Sequence, residues 1–243
     1  MNVDTLMASM PGLSKSKASD YLGPMEQAMV EFDITSEMRS RMWLAQAGHE
    51  SGSLVYFEEI ASGAAYEGRK DLGNIYPGDG TKYKGRGPIQ ITGRYNYTEA
   101  QKAMGIPLVD QPQLAADPFG ASFRISAWWW YANGLNKISD TGDVVAATKK
   151  INGGTNGLSD RQKRYDLAKA QGAKVIVQAM PTTPAWTDDD DMVIKEPDGK
   201  VYQLIYGGSG SYWRGLPANA VAKIPASAVI ADDGSLLALW RGP

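Results

Sequence analysis

Residues 45–52 read Ala-Gln-Ala-Gly-His-Glu-Ser-Gly, and residues 83–97 read Tyr-Lys-Gly-Arg-Gly-Pro-Ile-Gln-Ile-Thr-Gly-Arg-Tyr-Asn-Tyr. Two more acids, Glu58 and Glu59, lie between these stretches. The acids come first, then a Gly-rich basic loop, and then a block of amides, hydroxyls and aromatic rings. Side chains in this order suit a site that grips a sugar chain and protonates it.

The composition allows one large domain, or a medium domain with a small one, because the chain has 243 residues. Its 25 basic and 27 acidic residues give a net charge of −2, which indicates neither a nucleic acid nor an anionic membrane as a partner. No apolar run approaches the roughly 18 residues that a membrane span needs. We therefore expect no membrane insertion.

The chain has no cysteine and a single histidine, His49. Disulfides, thiolate nucleophiles and cysteine-bound zinc are thereby excluded, and a zinc site built from several histidines is not available. We expect neither a metal nor a cofactor. The N-terminus lacks the basic-then-apolar pattern of a secretory signal, so we expect synthesis in a cytosol.

Helical spacing dominates residues 1–175, with Thr35 or Ser36 as a capping residue for the central helix. Helices are predicted over residues 3–10, 14–21, 24–31, 36–52, 98–104, 117–131, 143–151 and 159–174. Residues 54–57 are predicted to be a short extended piece. Residues 62–88 are predicted to form a long loop whose lysines and arginines make a basic lip.

The pattern changes after residue 180, where prolines, threonines and four successive aspartates predict a linker. Apolar runs on both sides of Asp198-Gly199 then predict a β-hairpin. The predicted domains are a catalytic domain at 1–176, a linker at 177–191 and a small β module at 192–243. We expect this module to bind the cell wall through Tyr212, Trp213 and Trp240, or else to act as a stabilising or dimerising addition.

The spacing of two acids points to acid–base chemistry. Glu50 and Glu59 are nine residues apart, so on one continuous helix they would point to opposite faces. A break at residues 51–53 and a returning extended piece would bring them together across a cleft. Inverting glycosidases hold two carboxyl groups about 6.5–9.5 Å apart, with room for a water molecule between them.

The surroundings of each acid predict its role. Glu50, at a helix end near Trp43 and apolar neighbours, is expected to be the protonated general acid. Glu59, beside the basic lip, is expected to stay ionised and activate water. The alternative is that both acids are ordinary solvated surface groups and that His49 is a packing residue.

At these residues the chain resembles glycoside hydrolase family 19, the chitinase-like enzymes that also serve as phage endolysins. Residues 49–52 resemble the family's His-Glu-Thr/Ser-Gly motif, and Glu59 stands at the family's bacterial spacing for the base. Residues 85–92 and 95–97 resemble its Gly-Arg-Gly-Pro-Ile-Gln segment. The resemblance covers about residues 30–170, and it implies a mainly α, lysozyme-like, two-lobed fold and an inverting mechanism.

The resemblance also implies substrate contacts for several polar residues. In the family such residues bind sugar and water or orient acidic groups, which here assigns Gln90, Thr92, Asn96, Asn152 and Arg161. The three tryptophans at 128–130 would fan around a helix, so we expect at least two of them to pack in the core. Stacking on a sugar is instead expected of Tyr83, Tyr95 or Tyr97, and the alternative for these rings is packing.

These features predict a phage endolysin that cuts the β-1,4 glycan of bacterial peptidoglycan. It would accumulate in the host cytoplasm and reach the cell wall through a holin pore. The first alternative is a chitinase, with the same residues and a different sugar. The second is a non-catalytic glycan-binding virion protein, which the presence of both Glu50 and Glu59 argues against. The sequence leaves the oligomeric state unknown.

Overall fold

The structure, a computed structural model, describes residues 1–177 together with the backbone of residues 190–195, 201–207, 210–215 and 240–241. The chain divides into two compact units, Met1–Ala179 and Met180–Pro243. Most of the predicted linker at 177–191 lies outside the described residues, so the predicted domain boundaries remain predictions. In the described part, no helix has the length and apolar content that crossing a membrane requires.

The first unit is mainly helical, as predicted. Its helices are α1 Val3–Ser9, α2 Lys15–Glu31, α3 Glu37–Glu50, α4 Asp79–Lys82, α5 Arg94–Met104, α6 Ser122–Ala132, α7 Leu135–Thr141, α8 Val144–Asn152 and α9 Leu158–Ala170. Short 3-10 helices lie at Ala64–Tyr66, Lys70–Leu72, Pro112–Ala116 and Gly172–Val175. Residues 62–88, predicted as a loop, therefore contain three short helical turns.

Local capping explains where several of these helices begin. The hydroxyl of Ser36 accepts a hydrogen bond from the Arg39 amide at 3.2 Å and thereby caps α3. Asp143 caps α8 by accepting from the Ala146 amide at 2.8 Å. Both caps are visible in the sequence, and α3 and α8 begin within a residue of the predicted positions.

Several predicted helix boundaries are wrong, among them those at residues 23–24 and 117. The Gly-Pro pair at 23–24 does not interrupt a helix, because α2 runs through Pro24 and buries Met25, Ala28 and Met29 on one face. The burial of that face outweighs the one backbone hydrogen bond that proline removes. Helix α6 does not begin at Asp117, whose carboxylate instead accepts from the Phe119 amide in a turn.

Within residues 1–177, the first unit has two hydrophobic cores. In the larger one, the fully buried rings of Trp43 on α3 and Trp130 on α6 meet edge to face, with centroids 5.4 Å apart. The smaller core forms around Tyr83 and Tyr97, whose centroids are 5.2 Å apart. Trp129 packs against both cores. As predicted, at least two of the three tryptophans at 128–130 serve in packing.

The second unit contains a four-stranded sheet in the order β3-β2-β1-β4. Its strands are β1 Asp190–Lys195, β2 Val201–Gly207, β3 Gly210–Gly215 and β4 Trp240–Arg241. Strands β1 and β2 pair antiparallel with Lys195 opposite Val201, which confirms the predicted hairpin. The sequence did not predict β3, which pairs antiparallel with β2.

Candidate functional site

Glu50 is the last residue of α3, and the chain leaves that helix through a left-handed turn. Gly52, Ser53 and Leu54 have φ angles of 58°, 63° and 61°. Such angles are unfavourable for Ser and Leu, but the Leu54 side chain is fully buried in the larger core, which offsets the strain. The extended piece predicted over residues 54–57 is therefore wrong, because this turn redirects the chain instead.

Arg161 on α9 contacts the carboxylate of Glu50 through one terminal nitrogen. Its other terminal nitrogen donates to Gln46 Oε1 at 2.5 Å, and its Nε donates to the Asn156 carbonyl at 3.3 Å. The Arg161 side chain is 2% exposed and that of Glu50 18% exposed. The apolar surroundings predicted for Glu50 are therefore wrong, because a buried cation faces it while Trp43 turns into the core.

Glu59 is held by one donor on each carboxylate oxygen. The Gly85 amide donates to Oε2 at 3.0 Å, and the Tyr66 hydroxyl donates to Oε1 at 3.0 Å. Burial and the hydrogen bond to Glu59 both raise the pKa of Tyr66, so its hydroxyl keeps the proton that it donates. Tyr66 was missed in the sequence, since it lies in the irregular 62–88 segment where no spacing rule pairs it with Glu59.

Gly85 brings three of the predicted site residues together. A Cβ atom at this position would lie 2.8 Å from Gln90 Oε1, 3.2 Å from Glu59 Oε2 and 3.4 Å from Thr92 Oγ1. The glycine therefore makes room for three polar groups around one point of the backbone. Gln90 itself has a positive φ of 56° and donates to the Gly87 carbonyl at 3.0 Å.

Asn96 joins this group through Thr92. The two residues are four apart, but they do not share a helix face, because α5 begins at Arg94, after Thr92. The Asn96 amide instead donates to the Thr92 carbonyl at 2.8 Å. The structure thus places Glu59, Gln90, Thr92 and Asn96 in one cluster.

Asn152 is the last residue of α8. Its amide nitrogen donates to the Asn156 carbonyl at 2.9 Å, and its amide oxygen accepts from Gly154 at 2.8 Å. The Asn156 carbonyl also accepts from Arg161. Asn152 therefore belongs with the Glu50–Arg161 pair rather than with the cluster around Gly85.

The aromatic residues proposed for sugar stacking fall into two groups. Tyr83 is fully buried and Tyr97 is 2% exposed, and both form the smaller core. The Tyr83 hydroxyl donates to the Val109 carbonyl at 3.0 Å. The prediction that Tyr83 binds substrate is therefore wrong, because its ring has no surface to offer. Tyr95 is 61% exposed and remains a candidate.

The basic lip predicted beside Glu59 is largely neutralised by ion pairs. Glu58 pairs with Arg86 at 2.9 Å and with Lys84 at 3.4 Å. Arg69 pairs with Asp71 at 2.5 Å. Glu58 thus has a structural role, consistent with its omission from the predicted catalytic pair.

His49 packs into a network that ties α3 to α9. Its Nδ1 lies 2.7 Å from Asp160 Oδ2, which also accepts from Arg164 Nε at 2.7 Å. Although burial acts to raise the pKa of Asp160, the hydrogen bonds from Arg164 and His49 lower it overall. Arg164 also donates to Ser53 at 2.8 Å. Within the described residues, no cluster of three or more acidic or histidine side chains could hold a metal ion.

A comparison with protein families identifies the part of the chain that carries this site. The family model described as chitinase class I matches residues 8–163. A glycosyl hydrolase family 19 domain-containing protein of Haemophilus influenzae is 31% identical over an alignment of 161 residues that covers 54% of this chain and 78% of that protein.

Plant and bacterial chitinases are also similar to the chain. An endochitinase of Arabidopsis thaliana is 44% identical over 112 residues, and the match spans 38% of that relative's length. The crystal structure of chitinase C from Streptomyces griseus superposes with a TM-score of 0.56 and 25% identity, covering 73% of this chain and 78% of that one. The chain thus shares the lysozyme-like helical fold of these enzymes, as predicted.

Proposed function

Because the chain belongs to glycoside hydrolase family 19, we propose that it is an endolysin that hydrolyses the β-1,4 glycan strands of bacterial peptidoglycan. The observation that carries the proposal is that Glu50 and Glu59 are held in two different ways. Glu50 is paired with the buried cation of Arg161, whereas Glu59 accepts two hydrogen bonds beside polar groups that can hold a water molecule.

In the proposed reaction, Glu50 donates its proton to the oxygen of the scissile glycosidic bond. Glu59 takes a proton from a water molecule, whose oxygen attacks the anomeric carbon from the opposite face of the ring and inverts its configuration. Tyr66 and the Gly85 amide orient the two oxygens of Glu59 and leave a second lone pair on each. Thr92, with its hydroxyl near the same point, is placed to hold the attacking water.

Chitin and the peptidoglycan glycan are both chains of β-1,4-linked N-acetylated sugars, so the same acid and base suit either. Peptidoglycan is favoured by a chain without cysteine, which folds without disulfides in a reducing bacterial cytoplasm. The chitinase alternative is favoured by the similarity of the chain to an endochitinase and to chitinase C. We propose that the protein accumulates in the host cytoplasm and reaches the wall through a holin pore.

The catalytic part of the proposal is tested by replacing each acid with its amide. Glu50→Gln and Glu59→Gln are each expected to lower the rate of cell-wall clearing at least about a hundredfold, because general acid–base catalysis contributes that much. Glu99→Gln, at a partly exposed acid paired with Lys102 on α5, is the matched control and keeps the rate. Undiminished lysis by Glu50→Gln would favour the non-catalytic glycan-binding alternative.

The choice of glycan is tested by digesting purified peptidoglycan and chitin side by side. We expect peptidoglycan to be cut faster, with a new reducing end whose anomeric proton shows inversion in an NMR spectrum taken during the reaction. Faster cleavage of chitin would make the protein a chitinase. Retention of configuration would contradict the assigned roles of Glu50 and Glu59.

We further propose that the second unit anchors the protein to the wall. Tyr212 and Trp213 lie in β3 and Trp240 in β4, while their side chains are outside the described part of the chain. The full-length Glu50→Gln variant is expected to sediment with purified cell walls, and addition of Trp213→Ala to reduce the bound fraction. If both proteins stay in the supernatant, the unit does not act as an anchor.

A further inference from the structure

The chain contains three Asn-Gly pairs in the first unit, at 133–134, 152–153 and 156–157. Asparagine before glycine is the sequence most prone to spontaneous deamidation, because glycine offers no side chain to block ring closure. In that reaction the glycine amide nitrogen attacks the asparagine side-chain carbonyl carbon. The structure shows that the three pairs differ in how far they are free to react.

Two of the pairs are held in place on both reacting groups. The backbone N–H of Gly134 donates to the Tyr131 carbonyl at 3.0 Å, and the side-chain amide of Asn133 donates to the Trp129 carbonyl at 2.9 Å. The Gly153 amide donates to the Lys149 carbonyl at 2.9 Å.

The Asn152 side chain is bonded through both its nitrogen and its oxygen. In each of these two pairs, the attacking nitrogen must first give up a hydrogen bond and the side chain must leave its partner. Both steps raise the barrier to ring closure.

The third pair has neither restraint. Asn156 is exposed, and within residues 1–177 neither its side chain nor the Gly157 amide makes a hydrogen bond. The pair occupies the centre of a turn that Leu158 closes by donating to the Thr155 carbonyl at 3.1 Å. The side chain can therefore rotate toward the following amide without breaking a hydrogen bond.

We propose that Asn156 is a built-in site of deamidation to isoaspartate, and that this modification acts on Arg161. The Gly157 nitrogen loses its proton and bonds to Cγ of Asn156, and ammonia leaves, which forms a succinimide. Water then adds to one of the two carbonyls of that ring and opens it to aspartate or isoaspartate. No oxidant, cofactor or enzyme is needed.

The isoaspartate product changes the group that Arg161 touches. In isoaspartate the main chain runs through the former side chain, and the former α-carbonyl becomes a free carboxylate. The Asn156 α-carbonyl oxygen is the atom that accepts from Arg161 Nε at 3.3 Å and from Asn152 at 2.9 Å. Arg161 would then face a second carboxylate in competition with Glu50, because hydrogen bonds to ionised acceptors are the stronger ones.

The modification is tested by ageing the purified full-length protein at mildly alkaline pH and mapping its peptides by mass spectrometry. We expect amide-to-acid conversion at Asn156 before Asn133 and Asn152, with isoaspartate identified by isoaspartyl methyltransferase labelling. The other two pairs serve as internal controls in the same chain. Equal or faster conversion at either of them would overturn the proposal.

The effect on Arg161 is tested by activity, and this arm rests on the proposed function. We expect the glycan-cleaving rate of the aged protein to fall in proportion to the isoaspartate at Asn156. Asn156→Gln, whose longer side chain closes a ring far more slowly, should keep its own starting rate on ageing, whereas Asn133→Gln should age like the parent chain. Full conversion without loss of rate would contradict the competition for Arg161.

A protein without any starting activity would refute the proposed function instead, and the peptide map would still decide whether Asn156 is modified.

Discussion

Arg161 is the residue on which the placement of Glu50 depends. All three nitrogen atoms of its guanidinium group donate hydrogen bonds, to Glu50, to Gln46 and to the Asn156 carbonyl. A lysine could not make these contacts at once, because it carries one point charge rather than a planar fork. At the residue scale, the carboxylate of Glu50, the proposed general acid, is therefore positioned by a buried cation and not by an apolar pocket.

Tyr66 positions Glu59 by a hydrogen bond, as Arg161 positions Glu50. We predict that Tyr66→Phe weakens catalysis more than binding. The loss of a hydrogen bond to a charged group costs about 1.5–3 kcal/mol, so kcat should fall about tenfold to a hundredfold with little change in KM.

The measurement is a series of initial rates over a range of concentrations of a soluble glycan, which gives kcat and KM separately. Tyr131→Phe is the control, since Tyr131 is exposed and contacts Phe32 instead of an acid. A Tyr66→Phe variant that keeps kcat, or that loses activity only through a higher KM, would mean that Tyr66 does not act on catalysis through Glu59.

At the scale of secondary-structure elements, helix α9 holds the C-terminal end of α3 at three points. Arg161 contacts Glu50, Asp160 bonds to His49, and Arg164 donates to Ser53 in the turn that follows. The turn before α9 must also make room for the imidazole ring. A Cβ atom at Gly157 would lie 2.2 Å from His49 Cε1 and Nε2.

We therefore predict that Gly157→Ala is more destabilising than Gly153→Ala. Both glycines have a left-handed φ, of 71° and 74°, but a Cβ atom at Gly153 would meet nothing within 4 Å. The control should lose only the roughly 1–2 kcal/mol that this conformation costs an L-residue. Gly157→Ala should lose about 1–3 kcal/mol more through overpacking against His49.

Urea unfolding of both variants gives the two free energies. Equal losses would show that the imidazole ring moves aside without cost. The His49 ring signals in an NMR spectrum report directly on this contact and belong to a single residue, because the chain has one histidine.

The segment between α4 and α5 is fixed by one buried ion pair. Asp79, with a side chain that is 2% exposed, accepts from Arg94 at 2.5 and 2.8 Å and from the amides of Ile75 and Tyr76. The Arg94 guanidinium also lies 4.7 Å from the ring centroid of Tyr83. The hydrogen bond from Arg94 lowers the pKa of Asp79, and the two amides lower it further, against the opposing effect of burial.

This pKa shift predicts a loss of stability in acid. A carboxyl group with a depressed pKa in the folded state stabilises the protein fully above the unfolded-state value of about 3.9. That contribution is lost as the pH falls below this value toward the folded-state pKa. The free energy of unfolding should therefore decrease from about pH 4 downward, and less steeply in Asp79→Asn.

Asp79→Asn should also be less stable at neutral pH by about 3 kcal/mol, because it leaves Arg94 without its buried partner. Urea unfolding at a series of pH values measures both effects. Asp71→Asn, at an exposed pair, is the control and should change stability little. The same acid dependence in Asp79→Asn and the parent protein would contradict the assignment.

At the scale of the whole molecule, the described chain contains two compact units, and the first includes both hydrophobic cores. Every residue of the candidate site lies in this first unit. We therefore predict that residues 1–179 fold by themselves and retain their rate on a soluble glycan. Truncation should instead reduce clearing of intact walls, where anchoring matters.

Thermal unfolding followed by circular dichroism checks the first part of this prediction. We expect the protein of residues 1–179 to unfold in one cooperative transition. Its midpoint temperature should equal that of the first unit within the full-length chain. A truncated protein that lacks a cooperative transition would show that the first unit depends on the second, and would also remove the basis for separating catalysis from anchoring.

The sequence by itself determined which local structures form, because their causes are local. Ser36 and Asp143 cap α3 and α8 through contacts three residues away, and the hairpin of β1 and β2 follows from short-range turn chemistry. The family motifs likewise singled out Glu50 and Glu59 as the proposed catalytic acids. Chain-local information was thus sufficient for the mainly α class and for the family.

Only the tertiary structure decided what surrounds each of these residues. Tyr83 looked like a sugar platform but is buried, Glu50 faces Arg161 from 111 positions away, and Tyr66 reaches Glu59 out of an irregular segment. Burial and long-range pairing depend on how helices pack, and helix packing is not encoded in the spacing of neighbouring residues. The sequence therefore determined the local structure and the family, and the packing of α9 and the 62–88 segment decided how Glu50 and Glu59 are held.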